Sequence, residues 1–225
     1  MNDVVVYLVP VGVGRFELYT EPLDDTAAHD GRRDGFWSAR MHRLRARWNA
    51  SVHAARSGGP RAGRLARLRD WAISRAAESV AEQRTLWSLR NAASASLVHP
   101  TLDSAAAAGV RQQILVRARR HHGLWLLVDA LAFAASGLFF FIPGPNVIAY
   151  YFALRTVGHF LSWRGTRQAL NRTRWTEHAE PALTALGELA TVPRAARADR
   201  VAAIVQALNL PRLAAFFDRA APPSR

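Results

Sequence analysis

The chain has 225 residues, half of them apolar, no cysteine and a formal net charge of +13. Disulfide scaffolds, thiolate metal sites and thiol nucleophiles are thereby excluded, and the length suits one large helical domain or two small ones. All 30 basic residues are arginine, which together with the alanine content reads as the coding bias of a GC-rich, bacterial type of genome.

The charge is unevenly spread. Residues 1–31 hold one Arg against six acids, residues 32–120 eighteen against five, and residues 121–225 eleven against six. A field of this kind attracts nucleic acid or anionic lipid head groups. The opening Met1-Asn2-Asp3 has no basic region of a signal peptide, and no Arg-rich transit peptide is read either. Any membrane insertion is therefore expected to use an internal segment.

In chain order, the β-branched and aromatic stretch Val4 to Thr20, interrupted by Gly12 and Gly14, predicts a β-hairpin of Val4–Val9 and Arg15–Tyr19. An acidic loop follows to Asp34. Trp37, Met41, Leu44, Trp48, Val52 and Ala55 recur at helical spacing and predict a helix over Phe36–Arg56. After the breaker Ser57-Gly58-Gly59-Pro60, a second amphipathic helix is expected from Arg61 to about Ala93, making an Arg-studded αα-hairpin. Its plain reading is a solvated face on a packed bundle. His99-Pro100-Thr101 closes that unit, and Thr101 or Asp103 caps a helix over Ser104–Arg120. Short helices are expected at Ala182–Ala190, Arg194–Leu208 and Pro211–Ala220. The expected fold is mainly α, with helical hairpins around a central apolar helical hairpin and a small N-terminal β-hairpin. Its divisions fall at 1–34, 35–100, 101–176 and 177–225.

The central feature is residues 123–163, two apolar runs joined at Pro143-Gly144-Pro145-Asn146. Gly123–Ile142 would reach roughly 30 Å as a helix and Asn146–Trp163 roughly 27 Å, near the hydrocarbon thickness of a bilayer. Pro143 stops the first helix and Asn146 can cap the second. Arg117, Arg119 and Arg120 stand before the pair and Arg164 and Arg167 after it, placed for contact with anionic lipid. By the positive-inside rule both outer ends would face the cytoplasm, with Trp125 and Trp163 at the interface.

The polar residues of the two runs are ordered. Tyr151, Arg155, His159 and Ser162 share one helical stripe; Asp129, Ala132 and Ser136 make another. Asp129 lies 14 residues before Pro143 and His159 lies 14 residues after Pro145, so an antiparallel hairpin brings them to one depth. Asp129 is therefore expected to pair with Arg155, His159 or both, because an unpaired buried charge costs several kcal/mol. The pair either fixes helix register or handles protons, since a His beside a carboxylate can titrate near neutrality. The alternative solvent is a protein core, with the hairpin at the centre of a helical bundle.

Catalytic signatures are not found. His121-His122 reads as a solvated helix junction rather than a metal site, and Gly12-Val13-Gly14 lacks the third glycine of a dinucleotide fingerprint. No enzyme activity, cofactor or metal is expected.

Pro145-Asn146 with its aromatic-rich sequel, Phe152-Ala153-Leu154-Arg155, His159 and Trp163-Arg164-Gly165 before Leu170 resemble the family of mitochondrial potassium–proton exchange-related proteins. Tyr7-Leu8-Val9-Pro10 is similar to that family's opening strand. The match centres on residues 143–170, with a degenerate motif. The resemblance implies a membrane-associated protein linked to potassium–proton exchange, as a transporter subunit or an accessory factor. No mitochondrial presequence is read, so a bacterial inner membrane is expected ahead of a mitochondrial one. Two short spans make a poor transporter alone, so a homo-oligomer or a partner membrane subunit is expected. The competing expectation is a soluble or peripheral all-helical Arg-rich scaffold that binds anionic lipid or nucleic acid. Nucleic acid is the less favoured partner, because no recognition module is present and the apolar hairpin would go unexplained.

Overall fold

The computed structural model describes residues 3–21, 83–136 and 147–221. The chain divides into two compact units, Met1–Pro22 with Arg84–Arg225, and Leu23–Gln83. The expected αα-hairpin falls almost wholly outside the described residues, as does the turn Pro143, Gly144, Pro145 and Asn146.

The first unit is built on a four-stranded mixed sheet. Its strands are β1 (Asp3–Gly12), β2 (Arg15–Tyr19), β3 (Ser94–His99) and β4 (Arg174–Ala179), in the spatial order β2-β1-β3-β4. β1 and β2 pair antiparallel with Leu8 opposite Leu18, across a turn in which Gly14 takes φ 64°. That backbone conformation favours glycine. β3 runs parallel to β1, with Val6 opposite Leu97, and β4 runs parallel to β3, with Leu97 opposite Glu177. Parallel neighbours cannot be joined by a tight turn. The β3–β4 crossover is a pair of long helices, α1 (Ser104–Ser136) and α2 (Val147–Asn171). Three short helices follow β4: α3 (Pro181–Glu188), α4 (Arg194–Ala207) and α5 (Leu213–Ala220).

Both faces of the sheet are covered, and β1 shows why its sequence is nearly all apolar. Val6 and Leu8 point to one face, where Leu86, Leu89, Ala95, Leu97, Ala107, Leu115 and Ala169 are buried with them. Val9 and Val11 point to the other, against Leu183, Leu186, Leu189, Val201, Leu213 and Phe217 of the C-terminal helices. Gly165 lets α2 approach closely on the first face, because a Cβ there would collide with the Leu86 carbonyl. On the second face Arg197 is wholly buried. It donates to the carbonyls of Leu189, Ala190, Val192 and Ala221 and meets Asp218 at 3.3 Å, so one guanidinium ties the ends of several segments. Asn209, at φ 54°, closes α4 in the left-handed conformation that Asn tolerates.

The expected mainly-α fold is thus corrected. Helices sandwich a mixed sheet, and the apolar helical hairpin is not the centre of the molecule. β3 escapes the sequence reading because Ser94-Ala95-Ser96 is a weak strand former, and its strand state comes from lying between two partners. β4 is a polar edge strand, Arg-Trp-Thr-Glu-His-Ala, whose free side faces away from the sheet, so no apolar run marks it.

The expected membrane placement is corrected as well. Among the described residues no helix is long and apolar enough to cross a membrane. In α1 the apolar run begins only after Arg117, Arg119, Arg120, His121 and His122 and is interrupted by Asp129; Arg155, His159, Arg164 and Arg167 interrupt α2. The transmembrane, bacterial inner-membrane and ion-transport expectations lose their basis with that finding.

Candidate functional site in the helical arm

α1 and α2 each have two halves. Ala107, Val110, Ile114, Leu115 and Ala118 of α1 and Ala169 and Leu170 of α2 pack on the sheet. Beyond Ala118 neither helix contributes to either apolar core among the described residues until Ala169. The far part, residues 121–136 with 147–163, forms an antiparallel arm roughly 24 Å long at 1.5 Å per residue.

The inner surface of the arm is polar. His122, Asp129 and Ser136 follow a seven-residue spacing and are all buried on the face of α1 that meets α2. Asp129 is 1% exposed. Arg155 Nε donates to both oxygens of its carboxylate at 3.1 Å, and His159 Nε2 lies 3.3 Å from Oδ2. Arg155 continues outward, donating from a terminal nitrogen to the Tyr151 hydroxyl at 3.0 Å. His159 continues inward, its Nδ1 lying 2.9 Å from Nδ1 of His122. A contiguous polar row therefore runs Tyr151, Arg155, Asp129, His159, His122, hydrogen-bonded at each link except the Asp129–His159 ion-pair contact. Trp125 roofs the row, stacked on the His159 ring at 6.5 Å and 21°, with the Arg155 guanidinium 5.4 Å from its centre.

The electrostatics follow from this packing. Burial works against the Arg155 cation, but its bonds to Tyr151 and Asp129 outweigh that and push its pKa up. Burial, together with the nearby His159 and His121, pushes His122 down to about 4. His159 is lowered too, mainly by burial; Arg155 and His121 add to the shift and Asp129 opposes it. At neutral pH both imidazoles of the seam are therefore neutral while Arg155 keeps its charge.

The structure brings together Asp129, Arg155 and His159, with Tyr151 at one end. Ser136 and Ser162 stand elsewhere. Ser136 donates to the Phe133 carbonyl within its own helix. Ser162 accepts from Trp87 Nε1 at 2.9 Å and donates to the Gly158 carbonyl. Arg117, Arg120, Arg164 and Arg167 are exposed and Arg119 is half-buried; they ring the base of the arm. Arg167 lies over the Trp163 ring at 5.6 Å, and Arg164 donates to Asn91 at 3.3 Å. Sequence reasoning missed His122, taken for part of a solvated junction. The signal was its seven-residue spacing to Asp129 and Ser136, which puts all three on one face.

The outer surface of the arm is apolar. Leu124, Leu127, Val128 and Leu131 of α1 and Leu154, Val157 and Phe160 of α2 are exposed, as are Trp125, Phe133 and Tyr151. Among the described residues only Val5 and Val13 are exposed large apolar residues outside the arm. Among the same residues no group of His, Cys, Asp or Glu is arranged to hold a metal ion.

Comparison with protein-family models, with curated proteins and with solved structures gives no match, so the resemblance to the potassium–proton exchange-related family rests on its own residues alone.

Proposed function

We propose that this is a peripheral binding protein that docks on anionic lipid surfaces, with the arm and its arginine collar as the binding element. Docking is from one side and needs no spanning helix. The observation that carries the reading is the inversion of the arm, which has charge and imidazole in the seam and leucine, valine and phenylalanine outside. A water-facing helical hairpin has the opposite arrangement. An apolar skin of this extent marks a surface that meets something apolar. The apolar residues spread over the outward side of both helices rather than along one flat stripe, which suits a fluid acyl boundary better than a second copy of the arm. The collar adds the charge complement, since each Arg near an anionic surface contributes about 1 kcal/mol.

The test is co-sedimentation with vesicles. Vesicles rich in phosphatidylglycerol should retain the protein, phosphatidylcholine vesicles should retain much less, and added salt should weaken the retention. Replacing Leu127, Leu131 and Leu154 with Ser should abolish retention while leaving the circular dichroism unchanged. Equal recovery of native and triple-variant chains from anionic vesicles would refute the reading.

A further inference from the structure

We propose that His122 and His159 form a proton-operated latch, which holds the α1–α2 seam closed while the pair carries no more than one extra proton and opens it when both rings are imidazolium. The inference concerns the same arm but does not rest on what its outer surface meets.

Two Nδ1 atoms 2.9 Å apart can hold one hydrogen between them and not two. The Asp129 carboxylate beside Nε2 of His159 favours a proton on that nitrogen, which leaves Nδ1 of His159 as the acceptor. His122 must then donate from its own Nδ1. The neutral pair thus has one bonded arrangement: His122 as the Nδ1–H tautomer and His159 as the Nε2–H tautomer. A first extra proton is tolerated. It adds an Nδ1–H to His159 beside the Asp129 carboxylate, and His122 turns acceptor by moving its own hydrogen to Nε2. A second proton finds no such arrangement. Both rings would then carry Nδ1–H groups aimed at one another, and the rings would repel as cations.

The surroundings do not relieve that state. His122 and His159 are both buried, so water cannot solvate the second charge without the helices parting. From α1 the charged or titratable groups facing the pair are Asp129 and His121, whose ring lies 5.2 Å from that of His122. From α2 it is Arg155. Trp87, which reaches Ser162 and Gly158 of α2 nearby, carries no charge, and Arg84 is exposed. Asp129 is the single negative group among these, and Arg155 already occupies both of its oxygens. The depressed titration of both rings agrees with this geometry.

Hydrogen exchange of the native chain, without vesicles and corrected for intrinsic rates, tests the latch. As pH falls from 6.5 to about 4, amides of 121–136 and 151–163 should lose at least about tenfold in protection while those of β1 and β3 hold theirs. His122→Gln supplies an amide that can donate to or accept from His159 Nδ1 and takes no proton. It should keep the arm protected through the same range, whereas His178→Gln on the edge strand β4 should behave as the native chain. The same loss in His122→Gln, or equal loss in arm and sheet, overturns the proposal. Imidazole nitrogen NMR of the native chain gives a second reading that needs no variant. At neutral pH it should find His122 as Nδ1–H and His159 as Nε2–H; the opposite tautomer on either ring overturns the latch.

Discussion

The sheet sandwich and the helical arm solve the same burial problem with opposite signs. In the sandwich, Val6, Leu8, Leu97 and Leu115 meet on one face and Val9, Leu186 and Phe217 on the other, while charge stays mostly outside. In the arm, Asp129, Arg155, His122 and His159 meet inside, and leucines face outward. One polypeptide, even one helix, does both: α1 buries Leu115 against the sheet and, two turns on, His122 against α2. The arm is thus held by directional bonds rather than by area. Its seam specifies register, because Asp129, Arg155, His159 and His122 each have a defined partner, while its skin is left for contact with another medium.

Truncation should separate the two regions most clearly. Leu97→Ala removes a fully buried side chain from the sheet and should cost about 3 kcal/mol, read as a shift in the urea midpoint of the whole unit. Asp129→Asn should come next. It leaves Arg155 and His159 without their carboxylate, at roughly 3 kcal/mol or somewhat less because Arg155 can turn to water. In hydrogen exchange this substitution should loosen the arm and spare β1. Uniform destabilisation of arm and sheet would show that the seam is part of the main core after all.

The sequence made the seam and the β1–β2 hairpin legible and hid the other two strands of the sheet. Asp129, Arg155 and His159 were legible because ionisable residues stand out in an apolar run, and counting from the turn gives their depth. The last three helices were legible too, since Glu180 with Pro181 at its first helical position, and Pro193 before Arg194, punctuate the chain locally. β3 and β4 were not, because their strand state is conferred by partners distant in sequence: Leu97 sits between Val6 and Glu177. The mistaken bilayer expectation had a related cause. Hydropathy records how apolar a run is, and the apolar skin of the arm raises it as a spanning helix would. What separates the two is the frequency of charge, with Arg, His and Asp recurring through α1 and α2.

Acid should act on the arm next in size. His122 titrates lower in the folded chain than in the unfolded one, so between the ordinary 6.5 and about 4 the unfolded state binds more protons. Stability from this group is therefore complete above that window and is lost as pH falls through it. The loss should reach roughly 2 kcal/mol, read from urea midpoints across the range, and His122→Gln should flatten it. A native profile that stays flat down to pH 4 would mean that the seam admits water freely.

The smallest effect on stability should come from the arm's skin. Leu131→Ser exchanges an apolar side chain that is 63% exposed for a small polar one. If the skin were a core face, the change would cost as much as Leu97→Ala. An exposed site changes stability by no more than about 0.5 kcal/mol. Retention on anionic vesicles should nevertheless fall severalfold, because the lost contact is with the acyl boundary and not with the protein. Measured on one variant, an unchanged urea midpoint with weakened vesicle retention separates a surface shaped by its partner from one shaped by folding. A lowered midpoint with unchanged retention would reverse that assignment and put Leu131 inside a contact made by the protein itself.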